Sequence, residues 1–96
     1  MYRDDPLDDE LELREIVGDP AVDGLIAVAD DRDTDPVATA VDVLRLLQGW
    51  VSDDAAGRWF HQPQRRLDER TPLAALAHGD EDDVLDAARA YAAAQS

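Results

Sequence analysis

Two histidines, His61 and His78, and twenty-three carboxylates are the groups with which this 96-residue chain could move a proton or hold a metal. It has no cysteine, so neither a thiolate site nor a disulfide framework is available. The histidines stand seventeen residues apart, and neither belongs to a His-x-x-x-His or Glu-x-x-His spacing that would put two ligands on one helix face. Asp31, Asp33, Asp35 and Asp42 imitate positions one, three, five and twelve of a calcium loop. The sixth position, which needs glycine for a sharp turn, is Pro36, and the twelfth lacks the bidentate glutamate. The same residues read better as a helix start, with Asp35 as N-cap and Pro36 at the first position, where a missing N–H costs nothing. Paired carboxylates arise by chance in so acidic a chain, and no Ser-His-Asp set, phosphate loop or dinucleotide fingerprint is present. No catalytic residue, no cofactor and no metal is expected, and the chain reads as a non-enzyme.

Recognition is the chemistry the sequence supports better. Arg58, Arg65, Arg66 and Arg70 flank Trp59, Phe60 and His61, the one locally basic and aromatic stretch. Arginine and tryptophan dominate interface hot spots, which makes this stretch a candidate contact surface. The competing reading puts Trp59 and Phe60 in the core, with the arginines neutralising nearby acids. For Trp59 the core is favoured, because few large side chains are available to fill one.

The whole chain carries a net charge of −14, with nine arginines, no lysine and most of the acid in residues 1–50. Such a charge repels phosphate backbones, so direct nucleic-acid binding is not expected. An acidic, well-solvated surface is the plain explanation; mimicry of nucleic acid, or a basic protein partner, is the sharper one. Apolar runs are too short to span a bilayer and the acidic start lacks the features of a signal peptide, so a soluble cytoplasmic protein with no membrane contact is expected.

The elements that must position these residues read as helices. Alanine is abundant and β-branched runs are scarce, which favours an all-α fold, a small bundle of about five to six short helices. Leu7, Leu11 and then Ile16 or Val17 mark a first helix closed at Gly18-Asp19-Pro20. Val22, Leu25, Ile26 and Ala29 give a second one buried stripe. Val37, Val41, Leu44 and Leu47 line a third, over roughly 36 to 49. Ser52 caps a fourth that Pro63 stops; Thr71-Pro72 starts a two-turn helix ending at Gly79. Asp80 is expected to cap the last helix, which carries Val84, Leu85, Ala88, Tyr91 and Ala92, with Glu81, Asp82 and Asp83 in its dipole-favoured first turn. Residues 1–50 are expected to form an acidic helical segment packed on 51–96, with the folded body over roughly 36 to 96.

From Ala55 to about Ala92 the order Trp59, Pro63, Leu67, Arg70-Thr71-Pro72-Leu73, Leu76, Gly79 and Val84 resembles the toxin-binding C-terminal domain of Xre/MbcA/ParS-type antitoxins. It departs from that pattern at Asp68-Glu69, where the family usually has glycine, and in its short acidic first fifty residues, which are unlike a DNA-reading domain. The resemblance implies a helical module that occludes a partner toxin, typically of the RES class that attacks NAD, and that itself holds no catalytic residue. Arg58, Trp59, His61, Arg65, Arg66, Arg70, Thr71, Asp80 and Glu81 are then the expected partner-binding residues. A homodimer is allowed. An acidic adaptor for another basic protein, or a nucleic-acid mimic, is the alternative.

Overall fold

Local chemistry fixes most of the helix boundaries. The computed structural model describes residues 6–29 and 35–95, and among them all regular structure is helical, apart from a single antiparallel bridge between Gln64 and Arg70. Helix α1 runs Pro6–Val17 and α2 runs Asp19–Ala29, with Gly18 between them at φ 102°, a left-handed link that glycine makes without strain. Helix α3, Pro36–Gln48, opens with the Asp35 carboxylate accepting from the Ala38 N–H at 3.1 Å. Asp31 and Asp33 of the calcium-like pattern lie outside the described residues. Helix α4, Asp53–His61, is capped by Ser52 Oγ on the Ala55 N–H at 3.2 Å. Gln62, directly before Pro63, is extended at φ −106°, ψ 139°, because the proline ring excludes the helical conformation from its predecessor.

A 3₁₀ turn follows, η1, Arg65–Leu67. Helix α5, Pro72–His78, starts on Thr71 Oγ1, which accepts from the Ala74 N–H at 3.1 Å, and closes at Gly79 with φ 100°. Helix α6 spans Glu81–Ala94.

One core draws on every helix: Leu13 and Val17, Val22 and Leu25, Val43, Leu44 and Leu47, Trp59 and Phe60, Leu67, Leu76 and Val84. Helix α3 packs on α6, α1 on α4 and α2 on α5. The folded body therefore does not begin near residue 36, because the first two helices fill part of the same interior. No helix among the described residues is long and apolar enough to cross a membrane.

The expected stripes needed rotating. In α1 the inward face is Leu13, Ile16 and Val17, while Leu11 is 52% exposed. In α2 Val22 and Leu25 are buried but Ile26 faces outward. In α3 the fully buried face is Ala40, Val43, Leu44 and Leu47, with Val37 and Val41 on its shoulder. In α6 Ala87 joins Val84, Ala88 and Ala92 inside, and Leu85 and Tyr91 are half-buried.

The seat of α1 on α4 depends on Gly57. A Cβ added there would lie 2.6 Å from the Ile16 carbonyl oxygen. Only glycine lets the two backbones come so close, and that is its reason for standing in a helix interior where alanine has the better propensity. His61, one turn further along α4, places Nε2 2.7 Å from the Val17 carbonyl oxygen. A carbonyl accepts, so Nε2 donates, and the bond satisfies one of the acceptors left unpaired at the end of α1.

Candidate functional site

The expected recognition residues fall on α4, on the loop from Gln62 to Thr71 and on the start of α6. Trp59 is not part of that surface. It is 2% exposed, edge-on to Phe60 at 5.6 Å between ring centroids and tilted against Tyr91 at 6.0 Å. Trp59 therefore leaves the expected contact set: α4 turns Ala56, Gly57, Trp59 and Phe60 inward together, with α1, α3 and α5 packed against it. The indole N–H finds no hydrogen-bond partner among the described residues.

Three more of these residues spend their polar atoms on the fold. His61 holds the end of α1, and Thr71 caps α5. Arg70 donates from Nε to the Leu67 carbonyl at 3.0 Å and places Nη1 2.8 Å from Asp80 Oδ2. Asp80 stands at the N-cap of α6, its carbonyl accepting from the Val84 N–H at 3.1 Å, but its side chain makes no cap bond to that helix and instead meets Arg70 and, at 3.3 Å, His78 Nδ1. The Arg70 hydrogen bond holds the Asp80 carboxyl below the usual carboxylate range, with Coulombic help from Arg70 and His78. Glu81 follows at the head of α6, half-buried, with one carboxylate oxygen unpaired.

The loop itself is tightly wound. Gln64 and Arg70 pair across it, the Gln64 N–H donating to the Arg70 carbonyl at 3.0 Å, and the Glu69 N–H returns to the Gln64 carbonyl at 3.0 Å. Asp68 and Glu69, at the positions where glycine is usual in the resembling family, both adopt positive φ, 58° and 69°. Neither residue is glycine, so this positive-φ backbone carries a steric cost of about 1–2 kcal/mol at each. Gln64 Nε2 donates to the carbonyls of Trp59 and Gln62 and ties the turn to the end of α4.

Arg58, Arg65 and Arg66 remain. All three are exposed, and among the described residues none takes part in an ion pair, whereas Arg14, Arg45, Arg70 and Arg89 all do. Arg14 alone engages Glu10, Asp19 and Asp23. Arg45 joins Asp9 and Glu12 of α1 to α3, and Gln48 adds a bond to Glu12 at 2.7 Å. Those bonds, from Gln48 first and then Arg45, hold Glu12 below the carboxylate range.

Arg65 and Arg66 border a groove of about 230 Å³ whose other walls are Gln64, Ala87, Ala90 and Tyr91; Arg58 stands outside it. Sequence reading missed the part played by α6 in this groove. The signal was available in Ala87, Ala90 and Tyr91, whose small-small-aromatic spacing along one helix face leaves a recess. Among the described residues no group of three or more His, Asp or Glu side chains is arranged to hold a metal ion. No protein-family model, curated protein or solved structure matches this chain.

Proposed function

We propose that this protein is a non-enzymatic, antitoxin-like module that binds a partner toxin and covers its active-site cleft. Residues 55–92 supply the main contact, and the partner class is the NAD-attacking RES type implied by the resemblance. The observation that carries the reading is the set of exposed arginines without an ion pair among the described residues, Arg58, Arg65 and Arg66, in a chain whose acids outnumber its arginines by more than two to one. Exposed guanidinium groups of this kind are common anchors at protein interfaces.

The acidic remainder of the surface serves a second purpose in the same reading. A cleft that accepts an anionic dinucleotide is basic, so an inhibitor of net charge −14 is drawn toward it from a distance.

Capture from the native host tests the proposal, with tagged full-length protein beside its Arg65→Glu/Arg66→Glu variant. Arg70 is a poor choice for the control, because its change would also break the loop bond to Asp80. The expected result is one stoichiometric partner that consumes NAD when purified, is silenced by this chain and is lost from the variant. A captured partner without NAD-consuming activity, or equal recovery of assorted basic proteins by both forms, overturns the toxin reading and leaves the adaptor.

A further inference from the structure

The geometry points to the groove between η1 and α6 as a docking site for an acidic segment of a protein partner. Arg65 and Arg66 take the segment's carboxylates, and the Ala87, Ala90 and Tyr91 wall takes an apolar side chain beside them. This deepens the partner-binding reading above and rests on it.

Three features combine here. The first is charge: Arg65 and Arg66 are adjacent on one turn, exposed and without an ion pair among the described residues. A guanidinium presents a rigid fork that matches a carboxylate bidentately, a geometry an ammonium cannot reproduce, and the chain has no lysine. The second is preorganisation. The Gln64–Arg70 bridge and the Gln64 side-chain bonds fix the turn from both ends, and the Arg70–Asp80 pair joins it to the head of α6. A turn ordered in advance lowers the entropic cost of binding. The third is the wall itself, where Ala87 and Ala90 stand one turn apart on α6 and the Tyr91 ring is braced against Trp59.

Size and charge select the occupant. At about 230 Å³ the recess falls below the roughly 300–1,000 Å³ of pockets that enclose a whole cofactor, and it suits one or two side chains. A second copy of this chain brings another −14 of charge against the first. A free oxyanion meets the arginines but gains nothing from the alanine wall, whereas an acidic segment with a neighbouring leucine uses both.

A titration of the full-length, isotope-labelled chain with a synthetic peptide decides the matter. The probe is acetyl-Ala-Leu-Glu-Glu-Leu-Ala-amide; its counterpart with both glutamates replaced by glutamine is the control, and inorganic phosphate is a separate arm. Saturable shifts of the Arg65 and Arg66 Nε–H and the Ala87 and Ala90 methyl signals are expected, with Arg89 unmoved. Affinity should fall at least tenfold for the glutamine peptide and for the Arg65→Glu/Arg66→Glu variant, whose unfolding midpoint stays at the parent value.

Absent shifts, equal shifts with the glutamine peptide, or shifts spread over every arginine overturn the proposal. Phosphate binding at the same signals more tightly than the peptide reassigns the groove to free oxyanions. Concentration-dependent shifts without peptide reassign it to self-association. No toxin enters this experiment, so its failure is distinct from failure of the toxin reading, which the capture assay alone measures.

Discussion

Arg70 and Asp80, ten residues apart in the chain, meet at 2.8 Å and close the loop that carries Arg65 and Arg66 against the head of α6. With the Arg70 Nε bond to the Leu67 carbonyl, one guanidinium fixes both the inside of the loop and its exit.

That contact gives stability a defined pH dependence. Asp80 and Glu12 are both held below the ordinary carboxylate range in the folded protein, Asp80 first by Arg70 and Glu12 first by Gln48. On acidification the unfolded chain takes up these protons first, near pH 4, so the contribution is complete above that value and is lost as pH falls through the depressed folded-state values. Thermal midpoints measured from pH 7 to pH 2 should fall less steeply for the Asp80→Asn/Glu12→Gln double variant than for the parent. Parallel curves would show that neither group is perturbed in the fold.

Two glycines in helix interiors should answer the same substitution with opposite signs. Gly57→Ala drives a methyl into the Ile16 carbonyl and should lower unfolding free energy by about 2 kcal/mol through overpacking. Gly24 has no neighbouring atom within 4 Å of an added Cβ, and Gly24→Ala in α2 should raise it by about 0.5–1 kcal/mol. Urea unfolding of the pair measures both. Equal effects would mean that α1 does not seat on α4 as described.

Glu69→Gly should stabilise the protein by about 1 kcal/mol, because glycine adopts the positive φ of 69° without the Cβ clash. Asp68→Gly should gain less, since aspartate tolerates the left-handed region better than glutamate. Denaturation midpoints for the two single variants give the comparison, and destabilisation by Glu69→Gly would contradict the left-handed assignment.

Trp59→Ala should cost about 3–5 kcal/mol, the range for emptying a large aromatic site. Trp59→Phe should cost distinctly less, since it retains a ring beside Phe60 and Tyr91 and removes the indole N–H that has no partner among the described residues. Calorimetric unfolding of both variants ranks them. A negligible effect of the alanine change would return Trp59 to the surface.

Helix starts were readable wherever a cap is a local device. Asp35-Pro36, Ser52 and Thr71-Pro72 each place a side-chain oxygen on an N–H three residues ahead, which needs no tertiary information. The phase of α1 was not readable. Leu7, Leu11, Leu13, Ile16 and Val17 offer two overlapping stripes, and the choice is made by α4, where Gly57 opens the space that receives Ile16 and its neighbours. The arginine-rich stretch was recognisable from composition, but its division was not. Arg70 is used internally because a wound loop brings it to Asp80, whereas Arg65 and Arg66, on the same loop, are exposed and form no ion pair among the described residues.

The close approach at Gly57 also bears on how this architecture can be cut and moved. A graft of residues 55–92 alone would carry α4 with its glycine notch open to water and would leave behind Leu13 and Val17 from the shared interior. A transplantable version must therefore bring α1 with it, or refill the notch with a larger side chain and repack Phe60. The segment that resembles a separate binding unit is, in this molecule, half of an interlocking joint.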